Sequence, residues 1–558
     1  MTVPAQNEDY RNYIVKYNQN VSGKIDYVSD ISFQIINDLY AVLYVPAQQQ
    51  PDIVINSYSY NSIPKCYTYM DLESLNASGV TRLHNHPYLQ LRGRGTAVAV
   101  IDSGIDYRHP AFRAGSGTRI LELWDQTVET DNPLEVPFGR VYTREEIDRA
   151  VLSDNPLEVV PSVDRNGHGT MLAAAAAGNI LTEEAFSGAA PEAALIVVKL
   201  KPAKRYLKDF YLFPEQTDVF QEDDIMLAIA FAMECAQKFQ MPLSICIGLG
   251  TSQGAHMGVG PLSQIINWTA SFSQNAVSVA AGNEGLARHH YQGILDERRP
   301  EQTAEIRVGE NENGFCMELW GEAPEVYEVS LESPTGETLS VSTSLRAEQQ
   351  ELSFVFVETK IYVNYVQIER QSGKTLVFFR FVRPAAGIWK VYIRGSENAG
   401  ALFHIWLPVQ GMISADTFFV EASPYYTITS PGDTESGITM TAYQLRGEGL
   451  YLQASRGYTS AEEVKPNLAA PGAGIKIALP SGGFGTASGS SLAAAQAAGV
   501  AALMFEWALI RGNEPYFTGN SVRFYLERGA KREQNQKYPN RDWGYGKMDL
   551  YRTFELLT

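Results

Sequence analysis

The chain has 558 residues, 45% of them apolar and 19% charged, which fits a folded protein of more than one domain and excludes an intrinsically disordered one. A net charge of −18 at pH 7 argues against nucleic acid as a partner and disfavours anionic membrane surfaces. No run approaches about 20 apolar residues, so no membrane span is expected; Cys66, Cys235, Cys246 and Cys316 form no Cys-x-x-Cys pair, which argues against a zinc cluster, and imply no disulfide framework.

The N-terminus is polar and acidic, without a basic region or an apolar run, so no ordinary secretory signal is expected. Tyr13–Tyr17, Ile31–Ile36 and Tyr40–Val45 are rich in β-branched and aromatic residues and read as strands, with Asn37-Asp38 as a hairpin turn. Residues 12–60 thus form a small α+β unit. Ser62–Met70 is its tail, held extended by Pro64, and a helix-like segment begins at Asp71-Leu-Glu-Ser-Leu75. His84 and His86 lie in a polar stretch and are expected at the surface.

Val98-Ala-Val-Ile-Asp102-Ser-Gly is an apolar strand ending in a carboxylate and a glycine turn. Thr143–Val151 is helix-like, flanked by Asn132-Pro-Leu-Glu and Asn155-Pro-Leu-Glu in a surface insertion. Asp164-Arg-Asn-Gly-His168-Gly-Thr170 sets a histidine between two glycines before an Ala-rich helix. Ala194–Leu200 is a buried strand, Asp224–Met233 a helix, Pro242–Gly250 a strand ending in glycines, and Ala276–Gly285 a strand carrying Ala281-Gly-Asn283. Short apolar strands alternating with helices predict an α/β fold, a parallel sheet with helices on both faces. Sites in such sheets gather at the carboxyl ends of the strands, where Asp102, Gly248–Gly250 and Asn283 fall.

Residues 300–430 change character. Glu351–Val357, Ile361–Arg370, Thr375–Val382 and Trp389–Arg394 read as strands of a separate all-β sandwich or jelly roll that interrupts the α/β unit. The earlier pattern resumes at Ser455-Arg-Gly and Lys465-Pro-Asn-Leu-Ala-Ala-Pro-Gly472. Gly485-Thr-Ala-Ser-Gly-Ser-Ser491 then leads into a helix of small residues. A serine there is a nucleophile if a base lies nearby, and the helix N-terminus offers N–H groups to an oxyanion. Taken singly, each of Ser488, Ser490 and Ser491 is equally an N-cap, Asp102 a strand-end cap, and His168 and Asn283 turn residues.

Acid, base and nucleophile occur in the order Asp, His, Ser, that of subtilisin rather than chymotrypsin. On these motifs the chain resembles the subtilisin-like serine proteases over roughly residues 95–295 and 435–558. With its N-terminal unit and all-β insertion it looks most like their clostridial Csp branch, which contains germination proteases of spores and some pseudoproteases. The resemblance implies a prodomain and processing region at 1–70, a catalytic domain at 71–299 and 431–558, and an inserted jelly-roll-like domain at 300–430. It implies a triad of Asp102, His168 and Ser491, with the Asn283 side chain and the Ser491 N–H as oxyanion hole. Gly248, Leu249 and Gly250 become the backbone edge that pairs with an extended substrate. The implied partners are a protein or peptide substrate and the chain's own prodomain, cut once within Ser62–Met70 by the chain itself. The alternative is a non-catalytic sensor or scaffold in spore germination. Calcium, common in the wider family, is left open but is not indicated, since no Asp-x-Asp-x-Asp-Gly loop occurs here, and no other cofactor is expected. The expected location is cytoplasmic or spore-associated, with extracellular release left open.

Two departures from the family pattern matter. Gly485-Thr-Ala487 puts alanine where the family has serine in Gly-Thr-Ser. The family's Ala-Gly and later leucine, however, match Ala498, Gly499 and Leu503 only if Ser491 is the nucleophile and Gly489-Ser-Ser491 is the motif. The family's Ser-Leu-Gly-Gly beside the S1 pocket is Gly248-Leu-Gly-Thr251 here, which removes a hydroxyl and keeps the pairing edge.

Overall fold

The computed structural model describes residues 3–16, 32–50, 59–69, 89–130, 136–323, 325–343, 349–395 and 399–557, with residues 53, 55, 80 and 84. The expected helix start at Asp71–Leu75, Met70, His86 and the Asn132–Glu135 tetrapeptide lie outside the described residues.

The strand-forming runs of the α/β unit assemble into one nine-stranded sheet. In chain order its strands are β1 (Ala97–Asp102), β2 (Ile120–Asp125), β3 (Arg140–Thr143), β4 (Ala194–Lys199), β5 (Leu243–Ile247), β6 (Asn275–Ala280), β7 (Ile438–Gln444), β8 (Leu468–Ala478) and β9 (Phe484–Ser488). They are ordered β9-β8-β7-β6-β5-β1-β4-β2-β3. Strands β8 through β2 run parallel, and the edge strands β9 and β3 are antiparallel.

Strand β1 shows why these runs read as continuously apolar: all six residues are buried. Val98 and Val100 point into one core, with helices α1 (His168–Ala177) and α4 (Ser490–Phe505). Ala97, Ala99 and Ile101 point into the other, with α2 (Glu222–Lys238) and α3 (Pro261–Ser271). Period-two alternation sends successive side chains to opposite faces, and both faces are covered.

Small residues let α1 and α4 cross closely. A Cβ on Gly499 would stand 2.4 Å from the Ala176 carbonyl oxygen, so only glycine fits there. The apolar helix also runs further than the sequence suggested. Ser490–Ile510 is long and apolar enough to cross a membrane, but 83% of its apolar window is buried inside the fold, as befits a core helix.

At the N-terminus, Tyr10–Lys16, Ser32–Ile35 and Tyr40–Pro46 form an antiparallel sheet. The Asn37 side chain accepts from the N–H groups of Leu39 and Tyr40 and closes the expected turn. Ile14, Tyr40, Val42 and Tyr44 of this sheet share the core of α2 and α3.

The all-β region begins earlier than expected, with strand His290–Asp296. Sheets of six and five antiparallel strands enclose a separate core that includes Phe315, Phe379, Phe381 and Trp389. The whole module lies between β6 and β7, which are neighbours in the parallel sheet, Ser278 pairing with Ile438 and Ala280 with Met440.

His84 corrects the surface expectation. It is 6% exposed and its Nε2 bonds the Ala189 carbonyl at 2.8 Å. Burial holds its pKa below the usual histidine value. All four cysteines are buried free thiols.

Candidate active site

The carboxyl end of β1 delivers Asp102, and the N-terminus of α1 delivers His168 facing it. His168 Nδ1 lies 2.8 Å from Asp102 Oδ1 and 2.9 Å from Oδ2, so an Nδ1–H donates to the carboxylate and Nε2 is left as the basic nitrogen. The Ser103 N–H donates to the same carboxylate at 2.7 Å. Both side chains are essentially inaccessible to solvent.

Asp164, which the sequence reading quoted without a role, ties these two elements together. Its Oδ1 accepts from Ser103 Oγ at 2.8 Å and the Gly167 N–H at 2.8 Å. Its Oδ2 accepts from the Thr170 N–H and hydroxyl at 2.9 and 2.7 Å. The Gly169 N–H in turn donates to Ser103 Oγ. One buried carboxylate thus caps the His168 helix and fixes the loop after Asp102. The signal was an acid just ahead of a helix N-terminus, a capping pattern.

Ser491 is the second residue of α4 and is fully buried, its hydroxyl without a hydrogen-bond partner among the described residues. Gly248 marks how close it is to the histidine: a Cβ built there would be 3.1 Å from both His168 Cε1 and Ser491 Cβ. The same point lies 2.5 Å from Leu172 Cδ1. The missing family serine at 248 therefore has a steric companion, since a leucine side chain fills the space its Cβ would need. Ser488 ends β9 opposite Ala473, and Ala487 sits in the same edge strand. Ser491 and His168 thus both border this one point.

Asn283 follows β6 at the same sheet end. Its Oδ1 accepts from the Ser490 N–H at 3.2 Å, and Ser490 Oγ accepts from the Gly282 N–H at 3.1 Å. These bonds fasten the asparagine loop to the start of α4.

Leu249–Gly250 forms a strand, and it is already paired. Cys66–Tyr69, from the tail of the N-terminal unit, runs antiparallel to it, Tyr69 opposite Leu249 and Thr68 opposite Gly250. On the other side the same segment pairs with Phe220–Gln221, which the sequence reading missed. The Tyr69 ring lies over His168, with centroids 4.7 Å apart and planes at 45°.

A family model for peptidase S8, the subtilase family, matches residues 93–355 and 394–546, well over half of the chain. The chain belongs to the subtilase family. This subtilase superposes on the CspB protease of Clostridium perfringens with a TM-score of 0.77 and 30% identity, covering 86% of this chain and 96% of that one. Pyrolysin of Pyrococcus furiosus is 35% identical over 111 residues, a match to 19% of the subtilase and only 8% of pyrolysin. Sphericase aligns at 17% identity with a TM-score of 0.42, over 84% of this chain and 97% of that one. The subtilase is thus a subtilisin-like serine endopeptidase with Csp-like organisation, and its substrates are peptides or proteins.

Proposed function

We propose that the subtilase hydrolyses peptide bonds through Asp102, His168 and Ser491 and is made as a self-processing zymogen. The observation that carries this reading is the buried Asp102–His168 pair with His168 and Ser491 against one point at Gly248. His168 Nε2 takes the Ser491 proton as the hydroxyl attacks, then protonates the leaving amine. Asp102 holds the imidazole tautomer and stabilises the imidazolium. The Asn283 side chain and the Ser491 N–H stabilise the tetrahedral oxyanion at the α4 N-terminus. Water then attacks the acyl-enzyme by the reverse proton path.

Residues 66–69 support self-processing, because they occupy the substrate strand position by backbone pairing. Met70 is the next residue along the chain after this paired strand. The cut is assigned to the bond between Met70 and Asp71. A tail held in this way presents the bond intramolecularly, at high effective concentration.

The test is N-terminal sequencing of wild-type and Ser491→Ala chains, with a serine-reactive fluorophosphonate probe. Expected are a new N-terminus at Asp71 and probe labelling in wild type alone. Equal cutting in both chains would remove self-processing. An unlabelled, uncut wild type would favour the sensor or scaffold alternative.

A further inference from the structure

The segment in the cleft is gripped far upstream of the active site, by the inserted β-module. Tyr60 begins a short helical turn, Tyr60–Ser62, and is 2% exposed. Its ring meets Trp320 edge-on at 5.7 Å and Phe378 at 6.0 Å, both on inserted-module strands, Gly314–Gly321 and Thr375–Val382. Its hydroxyl donates to Glu318 Oε1. That carboxylate is only 4% exposed and is held independently of Tyr60, its Oε2 accepting from Trp320 Nε1 at 2.8 Å and the Gly254 N–H at 3.0 Å. The pocket is therefore built by the inserted module and the catalytic unit together, with one acceptor aimed at a phenol.

The rest of the turn matches this acidic setting. The Lys65 ammonium lies 4.0 Å from the centre of the Tyr60 ring and donates to the carbonyls of Tyr60 and Ile63. Burial lowers its pKa below the usual lysine value, and Glu222, Glu318 and Glu369 only partly offset this. The Lys65 N–H donates to Glu222, and the Asn61 amide reaches Glu369 at 3.4 Å. A phenylalanine at 60 would fill the aromatic walls and leave Glu318 Oε1 without its donor, a cost that discriminates between the two side chains.

We propose that this pocket is a tyrosine-selective exosite, which binds polypeptides carrying a tyrosine as the eleventh residue before the cut bond and has the chain's own N-terminal segment as its first occupant. The inference rests on the reading of residues 66–69 as a substrate-like strand. It gives the inserted module a part in choosing substrates, at a distance from the triad.

One arm of the test needs no catalysis. In the Ser491→Ala chain, amide hydrogen exchange is measured over residues 66–69. Tyr60→Ala should speed exchange there about tenfold or more, and Tyr60→Phe and Glu318→Gln by less. The two conservative changes combined should do no more than the larger alone, the signature of a shared bond. Unchanged protection in Tyr60→Ala overturns the proposal.

The second arm uses the Tyr60→Ala enzyme, cut and freed of its N-terminal segment by gel filtration. It is given a synthetic peptide of residues 58–75, with Tyr, Phe or Ala at the position of Tyr60. The Tyr peptide should be cut about tenfold better than the Ala peptide, chiefly through KM, and Glu318→Gln should erase the preference for Tyr over Phe. Equal cutting of all three peptides also overturns the proposal. Faster exchange in the first arm with no peptide cut sinks the protease reading and supports the pocket.

Discussion

Gly248→Ser restores the residue that the family usually carries, yet it should damage this enzyme. The new Cβ would fall 2.5 Å from Leu172 Cδ1, about 1 Å inside a normal carbon–carbon contact. The flexible end of Leu172 can yield, but Leu172 is fully buried in the core of α1 and α4. The remaining contacts, 3.1 Å to His168 Cε1 and to Ser491 Cβ, pass the strain to the proposed base and nucleophile. Overpacking of this kind costs about 1–3 kcal/mol of stability. Displacement of reacting groups by a few tenths of an ångström to 1 Å lowers turnover by up to about a hundredfold. The assay is the rate of fluorophosphonate labelling at Ser491 beside the urea midpoint, for Gly248→Ser, Leu172→Val and the double variant. The double variant should recover both properties, because valine withdraws the methyl that occupies the Cβ position. A Gly248→Ser enzyme as stable and as fast as wild type, or a double variant no better than the single, would refute the steric pairing of 248 with 172.

Three further predictions concern the site and its cover. Ser491→Ala should abolish probe labelling while Ser488→Ala, in edge strand β9, leaves it intact; the opposite outcome would move the nucleophile. Asn283→Ala should keep the fold and slow peptide hydrolysis by about 10²–10³, the loss known for subtilisin's own oxyanion asparagine rather than one worked from this geometry; an unchanged rate removes Asn283 from the oxyanion hole. Lys204 donates to the Pro4 and Tyr10 carbonyls and to Asn12 Oδ1, and burial lowers its pKa to about 7. Its folded value lies below the free lysine value, so between pH 7 and 10 the unfolded chain holds more protons and stability rises with pH. Denaturation midpoints should show wild type gaining on Lys204→Met by up to about 1.4 kcal/mol per pH unit in that window, and a constant difference would contradict it.

Where a residue's position is set locally, it was readable. Asp102 at a strand end, His168 and Ser491 at helix starts, and Asn283 at a glycine turn are each placed by a few neighbouring residues. What depended on distant packing was not. The polar neighbours of His84 suggest a surface, and only its bond to the Ala189 carbonyl shows why it is buried. Gly248 looked like a lost hydroxyl until Leu172 was seen in its space. Tyr60 closed the strand-rich N-terminal unit in the sequence, and its partners lie far along the chain, Glu318 258 positions further on and Phe378 beyond it.

The position of the inserted module has a consequence for synthesis. Strands β6 and β7 are neighbours in the sheet, but everything from His290 to Phe419 must leave the ribosome between them. At roughly 5–20 residues per second, that delay is on the order of ten seconds. Throughout it β6 is an open edge with unpaired backbone groups, a template on which neighbouring nascent chains on the same messenger can pair. The N-terminal sheet has already been made by then, but it is a separate sheet packed on the α2 and α3 core and does not pair with β6. The helix carrying Ser491, the proposed nucleophile, is made later still, so on that assignment the half-built sheet cannot cut its neighbours, although it can still pair with them.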